Sequence, residues 1–246
     1  MRAMAEKIIV ANWKANKTFE EALSWVNIVG NKLVELKQKV ILCPTSIFIV
    51  PIIEEVKSKN LSEFIILGSQ DISQYPAGAY TGEVTASQLA GLIKFSIVGH
   101  SERRKYFGQT DQDVIDKVAL LLQSQITPIL CVSDLAQLNT YIEKGKIIIE
   151  NAEKIIFVYE PPSAISGGSE YHPDTPEDAN ENAKKIGEKI GKPITTIYGG
   201  SINPDNVNSF FAQPNIHGGL VGQASLDSQT FAKILEKIRN NNSRIY

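Results

Sequence analysis

Hydrophobic positions along the chain follow two alternating rhythms. Short runs rich in Ile and Val recur at 8–14 (IIVANWK), 40–45 (VILCPT), 64–71 (FIILGSQD), 95–100 (FSIVGH), 127–133 (TPILCVS), 155–160 (IIFVYE), 194–200 (ITTIYGG) and 216–222 (IHGGLVG). They are apolar on both faces, as expected of strands covered on each side. Between them lie stretches whose apolar residues recur at three- and four-residue spacing, with charges opposite. FEEALSWVNIVGNKLVEL (19–36) and DVIDKVALLLQSQ (113–125) are the clearest, and 46–59, 176–190, 203–212 and 227–240 read the same way. Thr175-Pro176-Glu177 and Asn203-Pro204-Asp205 place a proline at or near a first helical position. Strands and helices alternating to the end, without a linker between halves, predict an α/β fold: a single-domain (β/α)8 barrel spanning 1–246. An open doubly wound sheet would carry a glycine-rich phosphate loop directly after its first strand. The first strand here ends in ANWKAN, which has no glycine.

Composition narrows the class of function. Of 246 residues, 43% are hydrophobic and the formal net charge is -2, which supplies a core and shows no basic excess that would suggest a nucleic-acid partner. No stretch approaches the roughly 18 consecutive apolar residues that a membrane span needs. The opening MRAMAEKIIVANWK lacks the apolar segment of a signal peptide. Cys43 and Cys131 each close an ILC run and read as buried reduced thiols, not as a disulfide or metal pair. A cytoplasmic protein without nucleic-acid or membrane partners is expected.

In a barrel, chemistry sits at the C-terminal ends of the strands, so polar residues that end apolar runs carry the information. The first run ends in Asn12-Trp13-Lys14. Lys14 is either a solvated rim residue or a fixed cation facing a phosphorylated substrate, and Asn12 holds that ammonium, a substrate oxygen or a turn. The fourth run ends in Gly99-His100-Ser101-Glu102-Arg103-Arg104. His100 reads as a satisfied core histidine or as an imidazole at the start of a short helix. The positive potential there disfavours protonation and predicts a lowered pKa. Glu102 is placed to pair with Lys14 or Arg103.

The sharpest signal is IIFVYE, where Glu160 ends a greasy run and PPSAISGG (161–168) follows at once. Two prolines stiffen the entry of that segment and two glycines free its exit, the composition of a loop that moves as a unit. A buried carboxylate there suits a general base, worth roughly 10²–10⁴ in rate. The last two runs end in Gly199-Gly200-Ser201 and Gly222-Gln223-Ala224-Ser225. Glycines allow close backbone approach, and loops after the seventh and eighth strands of barrels often bind phosphate.

Taken together, ANWKAN, GAYTGEVTASQL, VGHSERR, VYEPP, YGGS and LVGQASL resemble the triosephosphate isomerase family in order and approximate spacing across nearly the whole chain. The resemblance implies a TIM barrel that interconverts dihydroxyacetone phosphate and D-glyceraldehyde 3-phosphate through an enediolate, without metal or organic cofactor. It implies Glu160 as catalytic base, His100 as electrophile and proton shuttle, and Lys14 as electrostatic anchor beside Asn12. Backbone N–H groups of Ser166, Ser201, Gly222 and Gln223 are the implied phosphate donors, with Ser101 and Glu102 in support. The family is itself a standard illustration of a glutamate base beside a neutral histidine under a closing loop, so those roles rest on the resemblance. Segment Gln74–Glu83 resembles the loop that family members insert into a neighbouring subunit, which implies a homodimer, with Glu83 placed to pair with Arg103 near that interface.

Several positions depart from the family pattern. Ser163 stands where the loop often has tryptophan, Ser166-Gly167 replace Gly-Thr, and Gln223 replaces the second glycine of a pair. Cys131-Val132-Ser133-Asp134 replaces Cys-Ile-Gly-Glu, and Gln109 stands in place of a common glutamate. Gln223 brings a β-carbon to a place where a positive φ could be required. The missing tryptophan predicts a less favoured closed loop. Competing expectations are another aldose–ketose isomerase, with its base elsewhere, and a non-catalytic relative, which would have lost Lys14, His100 or Glu160.

Overall fold

The computed structural model describes residues 7–164 and 174–242, except for the side chains of 239–242. Eight parallel strands close into a barrel in sequence order, with the first paired to the last through Ile8–Gly218, Ile9–Gly219, Val10–Leu220 and Ala11–Val221. In chain order the elements are β1 (Ile8–Asn12), α1 (Phe19–Leu36), β2 (Val40–Cys43), α2 (Ile49–Ser58), β3 (Ile65–Ser69), α3 (Ala86–Leu89), β4 (Phe95–Val98), α4 (Ser101–Phe107), α5 (Asp111–Gln123) and β5 (Thr127–Val132). There follow α6 (Leu135–Lys144), α7 (Lys146–Glu150), β6 (Ile156–Tyr159), α8 (Pro176–Ile190), β7 (Thr195–Tyr198), α9 (Val207–Phe211), β8 (Gly218–Val221) and α10 (Ser228–Asn242). The expected (β/α)8 architecture is what the chain adopts.

Successive strand side chains point to opposite faces, and the two buried clusters follow that alternation. Val10, Ile97, Ile129, Cys131, Ile156, Val158 and Leu220 fill the barrel interior. Ile9, Ala11, Val98, Leu130, Val132, Phe157 and Tyr159 face outward, against the helices. Both cysteines are free and buried, as their place at the ends of ILC runs predicts. Trp13 and Trp25 meet edge-on at 5.0 Å, fastening the β1 exit to α1.

Local signals set most helix ends. Thr18 and Glu21 form a capping box at α1, Thr110 and Asp113 another at α5, and Thr175 caps α8 with Pro176 in the first turn. α1 and α8 occupy the expected residues. The expected helix at 46–59 begins as a short 3-10 turn, Ser46–Phe48, and becomes α-helical only from Ile49, with Pro51 in the first turn. The expected helix at 203–212 shrinks to α9. The Asn203 side chain accepts from the Asp205 and Asn206 N–H groups, and the Asn206 side chain accepts from Asn203 N–H. Those local bonds compete with the helical ladder. Expected strands that ended in polar residues prove shorter, because Trp13-Lys14, Gln70-Asp71 and Gly99-His100 already belong to the rim.

Candidate active site

Glu160 owes its place to strand parity. Ile156 and Val158 of β6 point into the barrel, so the next residue of that parity arrives at the top of the interior. It is 0% exposed. Its Oε2 accepts from the Ser101 backbone N–H at 3.0 Å. Its Oε1 lies 2.8 Å from His100 Nε2, yet no well-directed hydrogen bond reaches that oxygen. A buried carboxylate oxygen without an aligned donor is costly in a purely structural role.

His100 follows Gly99, whose φ of 74° breaks the strand alternation and turns the next side chain toward the barrel mouth. His100 caps α4, and its Nδ1 accepts from the Glu102 N–H at 3.2 Å. That acceptor role assigns the neutral ring its proton on Nε2. The expected lowering of its pKa is not what the geometry gives. Burial lowers it, but the Glu160 and Glu102 carboxylates together outweigh burial, and the net direction is upward. The physical reason is proximity: α4 offers the ring one N–H at 3.2 Å, whereas a carboxylate oxygen stands 2.8 Å away.

Lys14 adopts a left-handed backbone, φ 52°, with its N–H bonded to Asn12 Oδ1 at 3.0 Å. Of the three roles open to Asn12, the turn is the one its Oδ1 takes. The Lys14 ammonium pairs with Glu102 at 2.6 Å, so Glu102 goes to Lys14 and not to Arg103. Within the chain Arg103 instead meets Asp71 at 2.8 Å, and Asp71 also holds the buried Lys117 at 2.7 Å. Gln70 joins the rim from β3, donating to the carbonyls of Lys14 at 2.8 Å and Cys43 at 3.0 Å. Gln70 carries the same signal in the sequence as the other rim residues, a polar side chain ending an apolar run (FIILGSQD).

A pocket of about 400 Å³ opens above these groups. Asn12, Lys14, His100 and Glu160 line it together with Gly199 to Asn203, Leu220 and Gly222 to Ala224. A β-carbon on Gly199 would lie 2.5 Å from Val158 Cγ1 and 3.2 Å from Glu160 Cβ, and one on Gly222 would lie 3.3 Å from Lys14 Cε. These glycines serve close approach. Gln223 is not among the residues with positive φ, so its β-carbon meets no backbone strain. Ser201 lines the pocket, but its N–H and its hydroxyl both go to the Ala164 carbonyl, each at 2.9 Å. Ser166 and Gly167 lie outside the described residues, whereas Ser163 is exposed in a short 3-10 turn, Pro162–Ala164.

A closed parallel barrel that gathers ionisable side chains at the carboxyl ends of its strands is a (β/α)8-barrel enzyme. The family model described as triosephosphate isomerase matches residues 7–238. Curated proteins named triosephosphate isomerase from Thermus thermophilus and Mesomycoplasma hyorhinis are each 35% identical, over 94% of this chain and 98% of theirs. One from Clostridium botulinum is 34% identical over 94% of this chain and 99% of its own length. The chain belongs to the triosephosphate isomerase family.

Proposed function

We propose that the barrel mouth interconverts dihydroxyacetone phosphate and D-glyceraldehyde 3-phosphate, a step of glycolysis and gluconeogenesis, with Glu160 as the base. The single observation behind this is the wholly buried Glu160 carboxylate, whose Oε1 has no aligned donor and borders a pocket shared with an imidazole and an ammonium. Glu160 takes a proton from C1 of the ketose, and the C–H electron pair forms the C1–C2 double bond of an enediolate. The C2 oxygen gains negative charge as this happens and accepts a hydrogen bond from His100 Nε2–H. His100 then relays a proton between the two oxygens, and Glu160 returns its proton to C2. Each step moves protons only, so the cycle calls for no metal or organic cofactor.

Glu160 and His100 are 2.8 Å apart in the arrangement described, which leaves no room for a substrate oxygen between them. Substrate binding therefore parts the pair, and Glu160 leaves the Ser101 N–H as it swings toward C1. Lys14, oriented by Glu102, offsets charge on both the phosphate and the enediolate. The phosphate lies against the backbone of Gly222 and Gln223. Ser201 joins it once Ala164 gives up its two bonds, and Ser166 completes the set from the segment after the base.

We further read the whole chain, 1–246, as one barrel domain that works as a cytoplasmic homodimer. Two buried free thiols suit a reducing compartment; among the described residues, no helix is long and apolar enough to cross a membrane. The loop from Tyr75 to Glu83 is exposed, stiffened by a Tyr75–Tyr80 stack at 4.4 Å and closed at its base by Ser73 N–H to Val84 O at 2.8 Å. Ile47, Tyr106 and Phe107 are exposed as well, and covering such side chains would favour a second copy. A coupled assay of glyceraldehyde 3-phosphate turnover tests the activity. Turnover by the parent that collapses by about 10²-fold or more in Glu160→Gln supports it, and equal rates overturn it.

A further inference from the structure

Behind His100 lies a second buried polar group that the reaction itself does not use. Tyr141, from α6, is 0% exposed. Its hydroxyl accepts from Arg104 Nη2 and donates to the carbonyl of Cys131 at 3.5 Å. Burial pushes the phenol well above its ordinary value, so the hydroxyl keeps its proton for that carbonyl. The same Arg104 fork reaches two other elements. Its Nε donates to the Gly99 carbonyl at 3.2 Å, and its Nη1 pairs with Asp111, the first residue of α5, at 2.7 Å. Tyr141 also touches Gly99 from below: a β-carbon on that glycine would lie 3.1 Å from the phenol oxygen.

The consequence is geometric. Gly99 is the left-handed hinge that turns His100 into the pocket, and its carbonyl is gripped by Arg104. A guanidinium is planar with donors in fixed directions, so its orientation is set by where its other nitrogens are held. Asp111 fixes one nitrogen and the Tyr141 hydroxyl another. We propose that Tyr141 is a positioning residue for the reaction: through Arg104 it holds the Gly99 carbonyl, and with it the aim of His100 Nε2. This rests on the reading of His100 as the group that acts on the substrate oxygens.

The test is Tyr141→Phe, which removes only the hydroxyl. Sub-ångström misplacement of a catalytic group is expected to lower kcat about tenfold while KM changes less than about twofold, because the phosphate contacts are read on the loops after β7 and β8 and not on Gly99 or Tyr141. The ¹⁵N resonances of the His100 ring should shift as its bond with the Glu102 N–H loosens. Arg104→Lys keeps a cation beside Asp111 but loses the fork, so it should lower kcat by a similar factor. The double variant should fall little further than either single one, as for groups acting in one chain. Leu138→Val, a buried change on the same helix, is the stability control and should leave kcat as in the parent. If Tyr141→Phe only lowers the melting temperature, as Leu138→Val does, with kcat and the His100 resonances unmoved, the proposal is overturned. Should Tyr141→Phe fail to fold, unchanged kcat in Arg104→Lys overturns it alone. His100→Gln run in parallel separates the two readings: parent-like turnover there would remove the role of His100 itself.

Discussion

Asp71 holds two cations outside the pocket, one of them buried, and Asp71→Asn puts a magnitude on that contact. One of its oxygens, Oδ2, serves Lys117 Nζ at 2.7 Å, Arg103 Nε at 2.8 Å and Gln109 Nε2 at 3.3 Å. The Lys117 side chain is 2% exposed and that of Arg103 is 39% exposed. Removing one partner of a buried pair costs about 3–5 kcal/mol, because the other charge is left stranded. The half-exposed arginine adds only about 0–1 kcal/mol. A loss of about 4 kcal/mol is a large share of a typical stability of about 5–15 kcal/mol. It corresponds to a fall in melting temperature of roughly 10 °C for a chain of this size.

The loss should also depend on pH. Burial already holds the Lys117 pKa below its ordinary value against the pull of Asp71; without that pull it falls further. A lysine whose folded pKa is depressed costs stability while it is protonated. The cost fades as pH rises above the folded value toward the ordinary value of about 10.4. The deficit of Asp71→Asn should therefore be largest near neutrality and shrink in alkaline buffer. Adding Gln109→Glu returns a carboxylate beside the same two cations and should restore most of the stability. Urea unfolding at fixed protein concentration, across a pH series, measures all three. A loss below about 1 kcal/mol, with no alkaline recovery, would refute the reasoning.

Glu160→Asp retracts the carboxylate by about an ångström and should cut kcat about 10²-fold with a near-normal KM, read in the coupled assay. Gly199→Ala drives a methyl against Val158 and Glu160; it should cost about 1–3 kcal/mol and lower kcat by displacing the base, and an unchanged kcat would show that this close approach is idle. Ser163 in place of tryptophan predicts a larger methylglyoxal by-product fraction than in a tryptophan-containing homologue. A fraction no higher than the homologue's would sink that idea.

What the sequence disclosed and what it hid divide along one physical line. Strand parity is local, so Glu160 at the end of IIFVYE could be aimed into the barrel from the residues alone, as could the burial of Cys43 and Cys131. The alternation of strands and helices likewise fixed the barrel, while polar rim residues stretched the expected strand ends. Partner choice is long-range and was hidden. Arg103 turning to Asp71, and Tyr141 reaching under Gly99 from another helix, depend on contacts between residues 32 and 37 or more positions apart. The direction of the His100 shift is hidden for the same reason, since helix α4 is sequence-adjacent to it and Glu160 is not. Ser201 lines the pocket, but nothing in YGGS tells of its two bonds to Ala164.

The central claim is that Glu160 moves the substrate proton, and isotope exchange reads that step without waiting for product. Dihydroxyacetone phosphate is incubated with enzyme in D₂O and its C1 hydrogens are followed by proton NMR. The parent should incorporate deuterium at C1 while forming D-glyceraldehyde 3-phosphate labelled at C2. Glu160→Gln, an isosteric change that cannot accept the proton, should slow exchange and isomerisation together by about 10²–10⁴-fold. Exchange into C1 at the parent rate by Glu160→Gln would contradict the account and send the search for the base elsewhere in the pocket.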